Sequence, residues 1–255
     1  MLNRRKGRVF FLLLMASVTV PRADTMLRVV VGGDSIALPK KVSGQNQCEP
    51  CIEPPHPGDV ITVQASTDRV RRDRGAMSWI LRKDLKKVYL ICHGTKEFSE
   101  LSYPVNYKKY EHDGPHWSID DLLQFELSTP GTTERIQIAT WSVDKYSAIV
   151  VNGLRSQFRV VVAVTTETAG NDSLVLELRK LLNELEHSGQ GWSRFVPFTQ
   201  GVPVLWEEAE HQPETEFVYR EEVKEIGTRE VPKDSYEVPS GYRRVKYDPL
   251  CAPLR

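Results

Sequence analysis

Residues 146–166 read YSAIVVNGLRSQFRVVVAVTT. The β-branched run Tyr146–Val151 stops at Asn152-Gly153, the pair that best tolerates the positive φ angles of a tight hairpin turn. It resumes at Gln157, and Phe158, Val160, Val162 and Val164 then recur with a period of two, so they share one face of a returning strand. Just upstream, residues 135–141 (RIQIATW) alternate polar and apolar, the pattern of a strand buried on one side. Working outward, the same reading gives strands at 26–31, 59–65, 77–81, 87–92 and 122–127, separated by turn residues such as Gly32-Gly33 and Pro130-Gly131. Many short strands broken by turns predict a mainly-β chain: an antiparallel sandwich of the jelly-roll or immunoglobulin-like type.

One amphipathic helix interrupts this, spanning about 173–187. Asp172 or Ser173 can cap it, and Leu174, Leu178, Leu181, Leu182 and Leu185 fall on one stripe. His187 suits the negative end of the helix dipole, and Gly189 stops the helix. The stripe is expected to cover the sheet.

The 255-residue chain carries 34 basic and 34 acidic residues, so no overall field calls for nucleic acid. The charges are unevenly placed. Residues 1–23 hold Arg4, Arg5, Lys6, Arg8 and Arg22, no acid, and the uncharged run Val9–Val20. As a helix that run is about 18 Å long, short of the ~30 Å bilayer core. A basic start with a short apolar run is the secretory pattern, so 1–23 is expected to be a signal peptide and the product secreted or lumenal, without a membrane span. Residues 24–57 then read as an N-terminal strand and Pro-rich linker, and 58–206 as the sandwich core. Residues 207–238 have 11 acidic and 4 basic residues, and read with the tail to 255 as an acidic extended C-terminal arm. Within it Glu230-Val-Pro232 and Glu237-Val-Pro239 repeat, followed by Tyr236 and Tyr242 respectively.

Cys48, Cys51, Cys92 and Cys251 are an even set bound for an oxidising compartment, and are expected to form structural disulfides in one of three connectivities. Pro54, Pro55 and Pro57 after Cys48-Glu-Pro-Cys51 deny the helix N-terminus that a redox CxxC needs. The order Cys51, Trp79, Cys92 places the tryptophan 28 residues after the first cysteine and 13 before the second, the reverse of an immunoglobulin domain. Asn171-Asp-Ser173 is a glycosylation sequon.

Catalytic patterns are thin. His112 and His116 have the spacing of zinc-hydrolase histidines, but Gly114-Pro115 forbids the helix that would align them. No Gly-x-Ser-x-Gly occurs, and no cofactor, metal or catalytic residue is expected. The basic segment Arg69, Arg71, Arg72, Arg74, Arg82, Lys83, Lys86 and Lys87, against Asp73 and Asp84, can hold a polyanion such as a sulfated glycan, or the chain's own acidic arm. Arg69-Val-Arg71-Arg72 also fits a dibasic processing site. The expected function is non-catalytic binding of a protein or glycan surface, alone or as a subunit of an assembly. The alternatives are a secreted hydrolase built from His112, His116 and Asp120, or polyanion binding through 69–87.

Overall fold

The computed structural model describes residues 24–33, 56–106, 126–128, 131–151, 157–167, 173–186, 195–197, 201–211 and 216–246. Their elements are β1 (Asp24–Gly33), β2 (Val60–Ala65), β3 (Arg69–Arg74), β4 (Met77–Arg82), β5 (Lys87–Cys92), β6 (Glu97–Ser102), β7 (Glu126–Leu127), β8 (Thr132–Ile138), β9 (Trp141–Val151) and β10 (Gln157–Thr165). After the helix α1 (Ser173–Glu186) come β11 (Val202–His211), β12 (Glu216–Arg229), a 3-10 turn (Lys233–Tyr236) and β13 (Arg243–Arg244).

The mainly-β, antiparallel class holds, with one α-helix among the described residues. The strands follow one path, β13-β6-β5-β4-β3-β2-β1-β12-β11-β10-β9-β7, with β8 also paired to β9. That is a single sheet not closed on itself, where two separately paired sheets were expected. The link is the β1–β12 pairing, Asp24 opposite Arg229 through Gly33 opposite Tyr219. It joins the meander β1–β6 to the meander β9–β12 in one continuous ladder, so the sandwich type is not confirmed.

Register decides which side chains meet. Across the first meander Val63 faces Arg72, Arg72 faces Trp79, and Trp79 faces Leu90, so this row lies on one face. The second meander aligns Trp206 with Glu221 and with Val162 on the corresponding face. α1 lies on this inner face and buries Leu174, Val175, Leu178, Leu181 and Leu182, as its leucine stripe requires. Trp79 and Trp206 fill the core beneath it. Glycine is required where β11 begins: at Gly201, φ is +100°, and a Cβ would sit 2.5 Å from Val164 Cγ1 and 2.6 Å from Thr165 O.

The segment expected as an arm from 207 onward divides in two. Its first part is β11 and β12, interior strands of the sheet, whose acids meet cations on the neighbouring strand or two residues along their own. Glu207 pairs with Arg220, and Glu222 with Arg220 and Lys224. Residues 230–246 are the arm proper, lying on the outer face of β3–β6. There Tyr236 joins Ile80, Tyr89 and Ile91 in a second buried cluster, with Val231, Val238, Tyr242 and Phe98 packed around it. The two copies of the Glu-Val-Pro repeat thus each supply an anchoring valine. β13 adds to β6 in parallel, Arg243 opposite Glu97.

Among the described residues no helix is long and apolar enough to cross a membrane.

Candidate functional site: a cleft under the helix

α1 does not seal against the sheet along its whole length. Leu27, Val29, Val63, Pro203 and Val223 of the sheet and Val175 and Leu178 of the helix border a narrow cleft of about 30 Å³. Arg72, Arg179, Trp206 and Glu221 form the rest of its wall. Small-molecule sites run from ~300 to 1,000 Å³ with mostly apolar walls; at about 30 Å³ this space holds no more than a water molecule or two while α1 stays seated. Any larger occupant has to push α1 outward.

The charged wall is built from three distant stretches. Arg72 Nη2 donates to Glu221 Oε1 at 2.6 Å, a contact across 149 residues of sequence, and both side chains are under a tenth exposed. Their strands, β3 and β12, are separated by β2 and β1, about 14 Å apart in a flat sheet. The curl of a wide twisted sheet and the reach of both side chains close that gap. Tyr219 Oη donates to the same carboxylate oxygen. Arg179, on α1, places Nε 3.5 Å from Glu221 Oε2 and Nη2 3.6 Å from Glu208 Oε1. Its guanidinium lies 4.5 Å from the Trp206 ring centroid, and Trp206 Nε1 donates to Glu208 Oε1 at 2.7 Å. Buried charges need this degree of pairing. The helix is fastened at other points too: Glu177 receives Lys83 Nζ at 3.0 Å and the Tyr103 hydroxyl, and Lys180 Nζ donates to Val196 O at 2.8 Å. Burial holds the Lys180 pKa below its ordinary value.

The basic segment is largely answered within the chain. Arg72 faces inward as described, and its place in the middle of a buried strand removes the dibasic site from a protease's reach in the folded molecule. Arg69 stacks on Tyr236 at 5.2 Å, and Arg74 lies 5.7 Å from the Trp79 ring centroid. Arg71 binds Asp73 at 2.8 Å and donates to Ser235 O at 2.8 Å. Arg82 binds Asp84 at 2.8 Å, Glu237, and Tyr236 O at 3.2 Å; the Asp84 hydrogen bond raises its pKa further above the ordinary range. Lys83 meets Glu177, Lys87 lies 3.2 Å from Glu100, and Lys86 sits at φ 53° in the β4–β5 turn. The acidic partners come in part from the arm, one of the two possibilities the sequence left open.

Ser78, His93 and Asp73 also meet on the outer face. Ser78 Oγ is 2.7 Å from His93 Nε2 and touches Asp73, while His93 Nδ1 lies 2.8 Å from Tyr242 Oη. In a nucleophilic triad the acid orients the far nitrogen of the histidine. Here the acid holds the serine, a tyrosine takes that nitrogen, and Ser78 is fully buried. The group fastens the arm. Burial first, then the Arg71 charge, hold the His93 pKa below 6.5. The unfolded chain therefore takes up the proton more readily, so this contribution is complete above about pH 6.5 and declines as pH falls. Amide exchange across 233–244, corrected for its intrinsic pH dependence, is expected to quicken between pH 7 and 5. A His93→Gln chain should show a flatter profile; equal profiles would remove His93 from the docking.

Cys92 ends β5 in a disulfide whose other cysteine lies outside the described residues, as do Cys48, Cys51, Cys251, the sequon at Asn171 and the hydrolase candidates His112, His116 and Asp120. Among the described residues no group of three or more His, Cys, Asp or Glu is placed to hold a metal. The chain matches no protein-family model and no curated protein, so the geometry alone must carry the functional reading.

Proposed function

We propose that the chain is an exported, non-catalytic binding protein whose ligand is an apolar small molecule or chain that enters between α1 and the inner face of the sheet as the helix lifts. The observation that supports this is the apolar seam itself, lined by seven aliphatic or proline residues and covered by a separate element that its leucine stripe and a few polar contacts hold in place. A glycan, one of the two kinds of surface expected from the sequence, suits this seam poorly for an energetic reason. Sugar hydroxyls against aliphatic walls would lose their hydrogen bonds to water, at ~1–3 kcal/mol for each group left unpaired. Export is proposed from the basic, uncharged-cored leader and from the even cysteine count.

The test is titration with a neutral apolar fluorophore, N-phenyl-1-naphthylamine. Saturable binding with blue-shifted emission is expected, and Val175→Phe should weaken it at least tenfold by filling the cleft while the far-UV circular dichroism stays unchanged. Equal binding by both chains would place the ligand elsewhere, and no binding by either would overturn the proposal.

A further inference from the structure

We propose that the outer face of β3–β6 is a peptide-recognition groove that accepts the arm, residues 230–246, of a second copy of this chain. The groove's chemistry can be read from what already occupies it. Two arginines bind main-chain carbonyls of the arm: Arg71 donates to Ser235 O at 2.8 Å and Arg82 to Tyr236 O at 3.2 Å. The arm then adds as a strand, with Arg243 N donating to Lys96 O at 2.9 Å and Val245 N to Phe98 O at 2.8 Å. Backbone pairing supplies affinity in such strand addition, and side-chain pockets supply selectivity.

The pockets are equally defined. Tyr236 is 1 % exposed among Ile80, Tyr89 and Ile91, its ring faced by Arg69 and its hydroxyl donating to Asp24 Oδ2 at 2.8 Å. Glu237 pairs with Arg82, and Tyr242 reaches His93. The groove therefore selects a segment with a tyrosine anchor at the end of a 3-10 turn, a following acid and flanking valines. That is the arm's own sequence, and every copy carries it.

Groove and ligand also share no residue. The groove is supplied by β1 and β3–β6, the ligand by residues after Arg229, and only Glu230, Val231 and Pro232 join β12 to the 3-10 turn. Such a short joint between an intact body and a self-contained segment is the layout from which copies exchange identical elements. The tether sets the threshold: a short linker holds its own segment at an effective concentration on the order of millimolar, so exchange requires either comparable protein concentration or a weakened arm.

A fluorescent synthetic peptide spanning residues 230–246, titrated into the full-length Tyr236→Ala chain, tests this by anisotropy. The wild-type peptide is expected to bind, and the same peptide carrying Tyr236→Ala to bind at least tenfold more weakly. Failure of the wild-type peptide to bind a variant chain whose circular dichroism is intact would overturn the proposal. If that variant does not fold, millimolar peptide is added to the wild-type chain and exchange is followed at amides 233–242 of the arm. Faster exchange is expected from displacement; unchanged exchange would overturn the proposal.

Discussion

Replacing Tyr236 with alanine is expected to release residues 230–246 from the sheet while leaving the strands and α1 in place. Burying a large aromatic side chain and then deleting it typically costs ~3–5 kcal/mol, and Tyr236 also gives up its hydrogen bond to Asp24 and its stacking with Arg69. The loss falls on a local equilibrium, because Val231, Tyr236, Val238 and Tyr242 anchor the arm to the outer face and belong to a cluster separate from the main core. A loss of about 3 kcal/mol raises the population of the released arm by roughly 10²-fold. Limited trypsin digestion at Lys233, Arg243 and Arg244 reads that population directly, and cleavage should accelerate by about that factor. The main unfolding transition should shift little. If cleavage stays slow, the outer-face cluster does not hold the arm; if the whole chain melts instead, the two clusters unfold as one.

This separation into two faces also explains what the sequence discloses. The elements expected at 26–31, 59–65, 77–81, 87–92, 135–141, 146–151 and 157–166 correspond to β1, β2, β4, β5, β8, β9 and β10, and the helix to α1, with ends shifted by a few residues. Each of these carries enough β-branched or leucine side chains to display its period. Of the 122–127 strand, β7 covers Glu126–Leu127, and the remainder lies outside the described residues. Charge hid the others. β3 reads RVRRDR, with Val70 its sole aliphatic residue, and takes its place because Arg72 finds a carboxylate on one face and Arg71 finds Asp73 and the arm on the other. β12 reads as acidic tail because its glutamates are counted in sequence, whereas the fold places their cations on the neighbouring strand or two residues away. The cleft was illegible for the same reason: Arg72 belonged to a basic cluster and Glu221 to an acidic one, and periodicity does not reveal that two opposite charges 149 residues apart will pair.

That pair sets the second large expected effect, and its asymmetry is what makes it informative. Glu221 serves two guanidinium groups, Arg72 at 2.6 Å and Arg179 at 3.5 Å, and also accepts from Tyr219. Glu221→Leu deprives both arginines of their shared carboxylate in a site where neither is appreciably hydrated, and breaking a buried pair in this way costs ~3–5 kcal/mol. Arg72→Leu leaves Glu221 with Arg179 and the Tyr219 hydroxyl, so its cost should be smaller by a kilocalorie or more, on the order of the ~1.5–3 kcal/mol carried by a hydrogen bond to a charged group. The double variant removes both charges and leaves Arg179 facing Glu208; two leucines in place of the pair avoid an isolated buried charge, and apolar replacements of buried pairs are often neutral. The double variant is therefore expected to be more stable than Glu221→Leu alone, with a coupling of about 2 kcal/mol, within the ~0.5–3 kcal/mol found for residues in contact. Urea unfolding followed by the emission of Trp79 and Trp206, both buried beside these groups, measures all four chains. Additive single effects would show that the two side chains do not share the burden. A Glu221 variant no less stable than its Arg72 counterpart would remove Arg179 from the network, and with it the polar fastening of α1 over the cleft.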